Sequence, residues 1–376
     1  MMRFLQYLVT TLCMWYIAFT GVTSTLICSE CPSVHLQRAP GIGIDLTVAY
    51  GTAAINFHNG TIRNVAKIDG SPQYIAAMKA LVADSELVSR NESSKLPGLE
   101  FSTTSRPISL FPLGIPFLYP RPQISSDRQV IAIKSLLVEL KTAINATARL
   151  SYPYIYVSYP DTIAQVNTHR GRFDTAAEEA GFDIVGARGS SRSILYDHRM
   201  HRCCIVEDED ESCVGEPCAT EVKVLLAVSL TEKSLETAVL TRTIDSWAMP
   251  GRIKTAINVG LGLSSSKYID NKSYWSKVRD AVKNSIGKDM VDRVMFLGEH
   301  WENKELRDTV HEVLAEKASD GSLDTAPFED KILNTSSGLW SAARGSAVAA
   351  KGLLLDHLDG CVPDDSCEKV EYRDEL

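Results

Sequence analysis

The most reactive side chains in this sequence are its cysteines and two histidines close to them. His198, His201 and the cysteine pair at residues 203–204 offer nitrogen and sulfur ligands to zinc, but their spacing is not that of a usual structural zinc site. Adjacent cysteines in an oxidising compartment more often form disulfides. We therefore expect disulfides and no metal site. The cysteines expected to pair are Cys28, Cys31, Cys203, Cys204, Cys213, Cys218, Cys361 and Cys367.

Other motifs that could carry chemistry are weak. Cys28-Ser29-Glu30-Cys31 has the spacing of redox motifs, but it precedes Pro32 in an N-terminal segment rather than opening a helix, so a structural disulfide is favoured. Gly260-x-Gly262 lacks the spacing of a Walker phosphate loop. The acidic run at residues 207–211 lacks the ligand spacing of a calcium site and is typical of a solvated loop. The common hydrolase motifs do not occur.

Both ends of the chain carry targeting signals. Arg3 precedes an apolar stretch from Phe4 to Phe19, which is shorter than the ~20 residues that a membrane span needs and is typical of a secretory signal. The final residues, Arg373, Asp374, Glu375 and Leu376, match a retrieval signal of the endoplasmic reticulum. We therefore expect a glycoprotein of the endoplasmic reticulum lumen without a membrane span after signal removal. Its glycosylation candidates are Asn59, Asn91, Asn145, Asn271 and Asn334.

The elements that must position any site alternate between strands and helices. Strand patterns at 43–46, 52–57 and 61–65 predict a meander with a type I′ turn at Asn59-Gly60. Proline-rich residues 88–125 predict an irregular connection. Ser126-Asp127 predicts the start of an amphipathic helix, which a strand at 154–158, a short helix at 175–180 and a strand at 182–185 then follow.

The second half repeats this plan. Strands are predicted at 222–229, 236–241 and 294–297, and helices around residues 274–286, 306–314 and 339–355. The alternation predicts a two-lobed α/β protein with mixed sheets. We expect a signal peptide at 1–24, an N-terminal segment at 25–40, a first lobe at 41–220, a second lobe at 221–355 and a tail at 356–376. A net charge of −8 argues against a nucleic-acid partner.

The order of these segments resembles the nucleotide-binding domain of the heat-shock-seventy chaperones, on the actin/sugar-kinase fold. Gly43-Ile44-Asp45-Leu46 with Tyr50 resembles the first phosphate loop, and residues 155–160 resemble the strand that follows in the family. Residues 176–196 resemble the connecting segment, residues 294–298 the adenosine loop, and residues 343–350 the closing helix. The resemblance implies an actin-like fold that binds ATP or ADP with Mg²⁺. We expect no peptide-binding domain like the family's in this protein.

The phosphate loops depart from the family pattern. Thr47, Val48 and Ala49 stand where the family has Gly-Thr-Thr, and residues 229–236 replace Asp-Leu-Gly-Gly-Gly-Thr-Phe-Asp. Glu299 replaces the second glycine of the adenosine loop, and residues 188–189 replace the Glu-Pro pair of the connecting segment. Glycines in such loops let backbone N–H groups approach phosphate closely, so their loss weakens the cradle. The chain between residues 240 and 294 is also shorter than the family's, which predicts a second lobe reduced there to about one helix.

The resemblance and its departures together predict a pseudo-ATPase. The vestigial nucleotide-binding candidates are Asp45, Thr47, Ser229, Glu236 and Gly298. We expect a non-catalytic protein that acts through protein–protein interaction with lumenal partners, a heat-shock-seventy chaperone or its regulators among them. The alternative is a divergent ATP-binding protein with weak or no ATPase activity. A third reading keeps the fold as a rigid frame of unrelated function.

Overall fold

The structure is a computed structural model that describes most of the chain between residues 39 and 356. The described residues are 26–27, 39–93, 127–148, 154–198, 200, 224–243, 246–247, 254–319, 327–333, 337–356 and 361–362. The segment Arg38–Leu353 forms one compact unit that holds both predicted sheets, and the two chain ends form a second unit. The signal segment, the acidic run and the retrieval signal lie outside the described residues.

Twelve strands occur in the described residues. They are β1 Leu26–Ile27, β2 Gly41–Leu46, β3 Tyr50–Asn56, β4 Ile62–Asp69, β5 Tyr154–Tyr159, β6 Asp183–Gly189, β7 Val224–Leu230, β8 Leu235–Thr243, β9 Ser246–Trp247, β10 Lys254–Asn258, β11 Arg293–Leu297 and β12 Cys361–Val362. In the unit of the chain ends, β1 pairs in parallel with β12.

Nine α-helices connect or follow these strands in the described residues. They are α1 Pro72–Ser93, α2 Arg128–Ala148, α3 Asp161–Ala164, α4 Asn167–Glu179, α5 Ser190–Asp197, α6 Asn271–Ile286, α7 Lys304–Ser319, α8 Phe328–Lys331 and α9 Ser341–Asp356, with a 3₁₀ helix at Leu263–Lys267. None of these helices is long and apolar enough to cross a membrane.

The protein is α/β with two mixed sheets, and the sheets share a plan. The first has the order β4-β3-β2-β5-β6, and the second has the order β10-β8-β7-β11 with β9 beside β8. In each, antiparallel neighbours in the sequence form one side, and the first strand of the hairpin then pairs in parallel with a later strand: β2 with β5, and β7 with β11. Every residue of β2 and β3 is buried, as expected for strands at the centre of a covered sheet.

The predicted α2 follows its sequence pattern closely. The Oδ1 atom of Asp127 accepts a hydrogen bond from the backbone N–H of Gln129 at 2.8 Å, as predicted for a helix start. The predicted apolar face is buried in the core beneath the first sheet. Its predicted residues are Val130, Ile133, Leu137, Leu140 and Ile144. Helix α6 likewise buries its predicted face on the second core.

Several predicted local features need correction. The hairpin between β3 and β4 turns one residue earlier than predicted, because the N–H of Gly60 donates to the carbonyl of Phe57 at 2.9 Å. His58 and Asn59 are therefore the central residues, and Gly60 follows in the left-handed region with φ of 80°. Helix α1 reaches Ser93, so residues 88–93 are helical and not irregular.

Two segments contain more helix or strand than predicted. Helix α4 begins at Asn167, eight residues before the predicted short helix. The region between residues 240 and 294, predicted to hold about one helix, also carries β9, β10 and the 3₁₀ helix besides α6.

Helix α9 approaches its neighbours unusually closely, and glycines permit this. A Cβ atom at Gly43 of β2 would lie 2.1 Å from the carbonyl oxygen of Ala343, and one at Gly41 would lie 2.2 Å from that of Ala347. On the helix itself, a Cβ at Gly345 would lie 1.7 Å from the carbonyl oxygen of Ser193 in α5. These distances leave no room for a methyl group, so the positions require glycine.

We therefore predict that Gly345→Ala destabilises the protein although alanine is the better helix former. Forcing α9 away from α5 should lower the free energy of unfolding by about 2 kcal/mol, as other overpacked sites do. Gly352→Ala is the matched control in the same helix, because no atom lies within 4 Å of its added Cβ. That control should stabilise by up to about 1 kcal/mol. Equal effects of the two substitutions in urea unfolding would contradict the packing argument.

Candidate functional site

All five residues predicted as vestigial nucleotide-binding candidates line one cleft. Asp45, Thr47, Ser229, Glu236 and Gly298 face it together with residues of α3, α5 and α9. The cleft is narrow. Its volume is about 30 Å³, which is room for one or two water molecules.

The turn after β2 satisfies its own backbone donors. The Oγ1 atom of Thr47 accepts hydrogen bonds from the N–H groups of Ala49, at 3.1 Å, and Tyr50, at 3.0 Å. The N–H of Thr47 donates to the carbonyl of Tyr50 at 2.8 Å. In a phosphate loop such N–H groups point at the ligand. In this turn the N–H groups of Ala49 and Tyr50 donate to the hydroxyl of Thr47 instead.

The turn after β7 has the same hydrogen bonds at equivalent positions. The Oγ1 atom of Thr231 accepts from the N–H groups of Lys233, at 3.1 Å, and Ser234, at 3.0 Å. The N–H of Thr231 donates to the carbonyl of Ser234 at 2.9 Å. Each turn begins at the threonine of a Leu-Thr pair, so the two sheets share this turn as well as the strand order.

The remaining N–H of the second turn is also bonded. The N–H of Glu232 donates to the Oε2 atom of Glu299 at 2.9 Å, and the Oε1 atom of Glu299 lies 2.8 Å from the Nζ atom of Lys67. Lys67 belongs to the first sheet and Glu299 follows β11 of the second, so this ion pair joins the two sheets. The carboxylate of Glu232 itself lies 3.1 Å from the Nε2 atom of His300. Every backbone N–H of this second turn is therefore bonded within the protein.

Three carboxylates meet inside the cleft. The Oδ1 atom of Asp45 accepts from the hydroxyls of Ser158 and Ser190, each at 2.7 Å. The carboxylate of Asp161 accepts from the N–H of Ser191 at 3.0 Å and from its hydroxyl at 2.8 Å.

The third carboxylate is that of Glu236. Its Oε1 atom accepts from the N–H of Asp161 at 3.0 Å. No lysine or arginine side chain is among the residues that line the cleft in the described part of the chain. The hydrogen bonds of the three carboxylates come from serine hydroxyls and backbone N–H groups, while the positive charge of Arg192 acts on Asp161 from outside this lining.

Burial shifts the acidity of this group towards neutral pH. Burial raises the pKa of Asp45 to about 6, against the hydrogen bonds from Ser190 and Ser158. Burial also raises the pKa of Asp161, against the hydrogen bonds from Ser191. Burial and then the charge of Asp161 raise the pKa of Glu236 to about 8. Glu236 is only partly buried as a whole residue, so we expect a smaller effect on stability than a fully enclosed carboxyl would have.

Gly298 closes the cleft beside β7. Its φ of 83° lies in the left-handed region, and an added Cβ would lie 2.5 Å from the carbonyl oxygen of Leu230 and 2.9 Å from the Oγ of Ser229. Glycine is thus required here by both conformation and space. Glu299, which follows it, makes the contacts described above.

Sequence reasoning missed several residues of the cleft. Asp161, Ser190 and Ser191 line it, and Lys67 reaches Glu299 at its mouth. Strand β5 ends at Tyr159, and helix α3 begins at Asp161 after Pro160. The available signal was an acidic residue shortly after a predicted buried strand. Lys67 carries no such signal, because its partner is more than 200 residues away in the chain.

Other predicted sites are only partly visible. The side chains of the eight cysteines, and those of Asn91 and Asn334, lie outside the described part. Asn59 and Asn271 are exposed, whereas the amide oxygen of Asn145 is buried on α2 without a hydrogen-bond partner among described residues. His198 packs near Ser341, 3.4 Å from its hydroxyl. Within the described residues, no three His, Cys, Asp or Glu side chains are arranged to hold a metal ion.

Comparison with known proteins adds no identification. No protein-family model matches the chain, and no curated protein matches it significantly.

Chemically, the cleft is a proton-holding site more than an anion-binding one. Carboxyl groups with a pKa near neutrality exchange protons at physiological pH. Electrostatic repulsion from the ionised carboxyl groups opposes the entry of a phosphate chain, and because the pKa of Glu236 is about 8, Glu236 adds to it fully only at higher pH. The donors that would offset this repulsion are engaged in the two threonine-closed turns.

We predict that Glu236→Gln stabilises the protein at pH 8.5 but not at pH 4.5. The pKa of Glu236 is raised above its ordinary value of 4.5, so the folded state holds the proton more tightly than the unfolded state. Its contribution to stability is therefore present at low pH and is lost as the pH rises from about 4.5 to about 8. The amide keeps the acceptor for Asp161 without the charge, and the gain at high pH should be about 1 kcal/mol.

Urea unfolding at the two pH values measures this difference. Glu302→Gln is the control, because Glu302 is exposed and lies outside the cleft. A gain that is the same at both pH values, or one that the control reproduces, would refute the assignment.

Proposed function

We propose that this chain is a non-catalytic, heat-shock-seventy-like glycoprotein of the endoplasmic reticulum lumen that acts by binding other proteins. The observation that carries this proposal is the occupation of the loop N–H groups by Thr47, Thr231 and Glu299. In the family that the sequence resembles, these loops cradle the phosphates of ATP. A chain that keeps the strands but satisfies the donors internally has lost the means to catalyse phosphoryl transfer, which depends on positioning and electrostatics.

The residues present do not fit ATP. A nucleotide phosphate chain needs free donors or cations, and the cleft offers Asp45, Asp161 and Glu236 instead. Its volume of about 30 Å³ is also far below that of ordinary ligand pockets, which begin at about 300 Å³. Separating the two sheets would break the Lys67–Glu299 pair, which joins them. We therefore assign no hydrolytic step to this site.

The fold supports the resemblance at a coarser level. Two mixed sheets of matching strand order, each with a threonine-closed hairpin turn, fit a duplicated plan such as the actin-like fold implies. A frame of this kind without its ligand site leaves surfaces as the means of action. The proposed partners are lumenal proteins, a heat-shock-seventy chaperone or its regulators among them.

A divergent ATP-binding protein is the second candidate. The specific observation in its favour is that all five residues taken from the family pattern do line one cleft. Carboxylates such as those of Asp45 and Glu236 are ligands that Mg²⁺ accepts, usually with several waters. This candidate requires a cleft that opens.

The two candidates differ in thermal unfolding with nucleotide. We predict no change in melting temperature when millimolar Mg-ATP or Mg-ADP is added to the protein, because a ligand that does not bind the folded state cannot stabilise it. A rise of several degrees that Asp45→Ala removes would establish the second candidate. Asp308→Ala, which removes an exposed acidic residue of α7 outside the cleft, is the control for a general charge effect.

The location is tested separately. Deleting the segment Arg373–Leu376 from the expressed full chain should convert a retained protein, sensitive to endoglycosidase H, into a secreted one with mature glycans. Replacing residues 368–371 by alanine is the control and should leave retention intact. Secretion of the unaltered chain would contradict the proposed location.

A further inference from the structure

A modification site is formed by the turn between β3 and β4 of the first sheet. Asn59, Gly60 and Thr61 make up an Asn-x-Thr sequon there, and all three residues are exposed. Gly60 lies in the left-handed region, with φ of 80°. No atom lies within 4 Å of a Cβ added at Gly60, so the space outside the turn is open.

The side chain of Asn59 is held by the threonine of its own sequon. The Oδ1 atom of Asn59 accepts hydrogen bonds from the backbone N–H of Thr61 at 3.0 Å and from the hydroxyl of Thr61 at 2.7 Å. A backbone N–H needs an acceptor, so these bonds identify this end of the amide as its oxygen. The Nδ2 atom is the other end of the amide, on a side chain that is exposed to solvent.

The sequon of Asn145 on α2 has a different geometry. Asn145 and Thr147 are two residues apart on a helix, and residues at this spacing do not face each other. The hydroxyl of Thr147 donates to the carbonyl of Ala143 at 2.9 Å. The amide oxygen of Asn145 is buried. The threonine hydroxyl of this sequon is therefore directed to the helix backbone and not to the asparagine.

The sequon of Asn271 is intermediate between these two. Asn271 is exposed as the first residue of α6. Ser273 follows two residues later on the same helix, and its backbone N–H donates to the Oδ1 atom of Asp270 at 2.9 Å. Among the three sequons whose side chains the structure describes, that of Asn59 is the one in which the hydroxyl bonds to the asparagine amide.

Attachment of a sugar uses the atom that this turn exposes. In N-glycosylation the amide nitrogen of the asparagine attacks C1 of an oligosaccharide carried on a lipid pyrophosphate. The N–C1 bond forms, and the C1–O bond to the pyrophosphate breaks with its electron pair on the leaving group. The nitrogen gives one proton to a base of the transferase. The product is bulky and needs the open space that the exposed turn provides, whereas Asn145 is half-buried.

We propose that Asn59 carries an N-linked oligosaccharide and that Asn145 does not. Thr61 fixes the amide oxygen of Asn59, and the exposed nitrogen receives the sugar at the β3–β4 turn. These bonds join residues adjacent in the sequence, so the turn can form before the rest of the fold is complete. The inference rests on the proposed function, a lumenal glycoprotein, and deepens it by naming the site of modification.

Mass spectrometry of tryptic peptides tests the two sites separately in the full chain expressed in secretory cells. Asn59 and Asn145 fall on different tryptic peptides, so the sugar on each can be measured by itself. The peptide of Asn59 should carry sugar in most copies, and that of Asn145 in none. Asn59→Gln should remove one glycan from the chain, whereas Asn145→Gln, the matched control, should remove none.

Substitutions inside the sequon separate the geometry of the turn from the consensus. Thr61→Ser keeps the hydroxyl and should keep the glycan. Gly60→Val leaves a valid sequon but puts a β-branched residue in the left-handed region, which such residues strongly disfavour. It should reduce the sugar on Asn59 several-fold. Ala146→Val makes the equivalent change in the sequon of Asn145 and is the control, which should leave the number of glycans unchanged.

Four results would overturn the proposal. An Asn59 peptide without sugar, while another sequon carries it, would reject this site but leave the glycoprotein assignment intact. Sugar on Asn145 at the level found on Asn59 would show that the consensus alone decides. A full glycan level on Asn59 in Gly60→Val would show that the turn has no part in the choice. Absence of sugar from every sequon would contradict the proposed glycoprotein as well.

Discussion

The close approach of α9 to the first sheet is the constraint on which the rest of the molecule depends. Glycines at Gly41 and Gly43 of β2 let the helix backbone lie directly on the strand. From there Ala342 reaches the core under the second sheet, packing with residues of β7, β8 and β11. One helix therefore fixes both sheets. The hydroxyl of Ser346 on α9 donates to Ser158, which donates to Asp45, so the helix also sets the position of a cleft carboxylate.

Many polar groups of the resulting cleft are bonded within the chain. Each threonine-closed turn uses a side-chain hydroxyl for donors that a phosphate would otherwise need, and the carboxylates accept from serines and from a helix N-terminus. These bonds hold the cleft in shape within the chain itself.

Much of the fold could be predicted from patterns of neighbouring residues, whereas contacts between residues distant in the chain could not. The face of α2, the strands of both hairpins and the left-handed position of Gly60 follow from residues adjacent in the sequence. Helix α1 was not predicted, although Ser71 and Pro72 form a usual helix start. The proline-rich residues that follow it favour an irregular connection. Part of the cleft was predictable because its candidate residues lie at strand ends or in the turns beside them. The pairing of Lys67 with Glu299 depends on the packing of two sheets and has no local pattern.

The paired threonine turns also have a consequence for how the chain folds. Each turn joins neighbouring strands over four residues, so its hairpin closes with little loss of chain entropy and forms early. The parallel pairing of β2 with β5 joins residues as distant as Gly43 and Tyr156, and it must wait for that longer loop to close. Folding speed is therefore governed by the late docking of β5 and β11 onto hairpins that already exist. Because the turns carry their own closing hydroxyl, neither hairpin needs a nucleotide as a template.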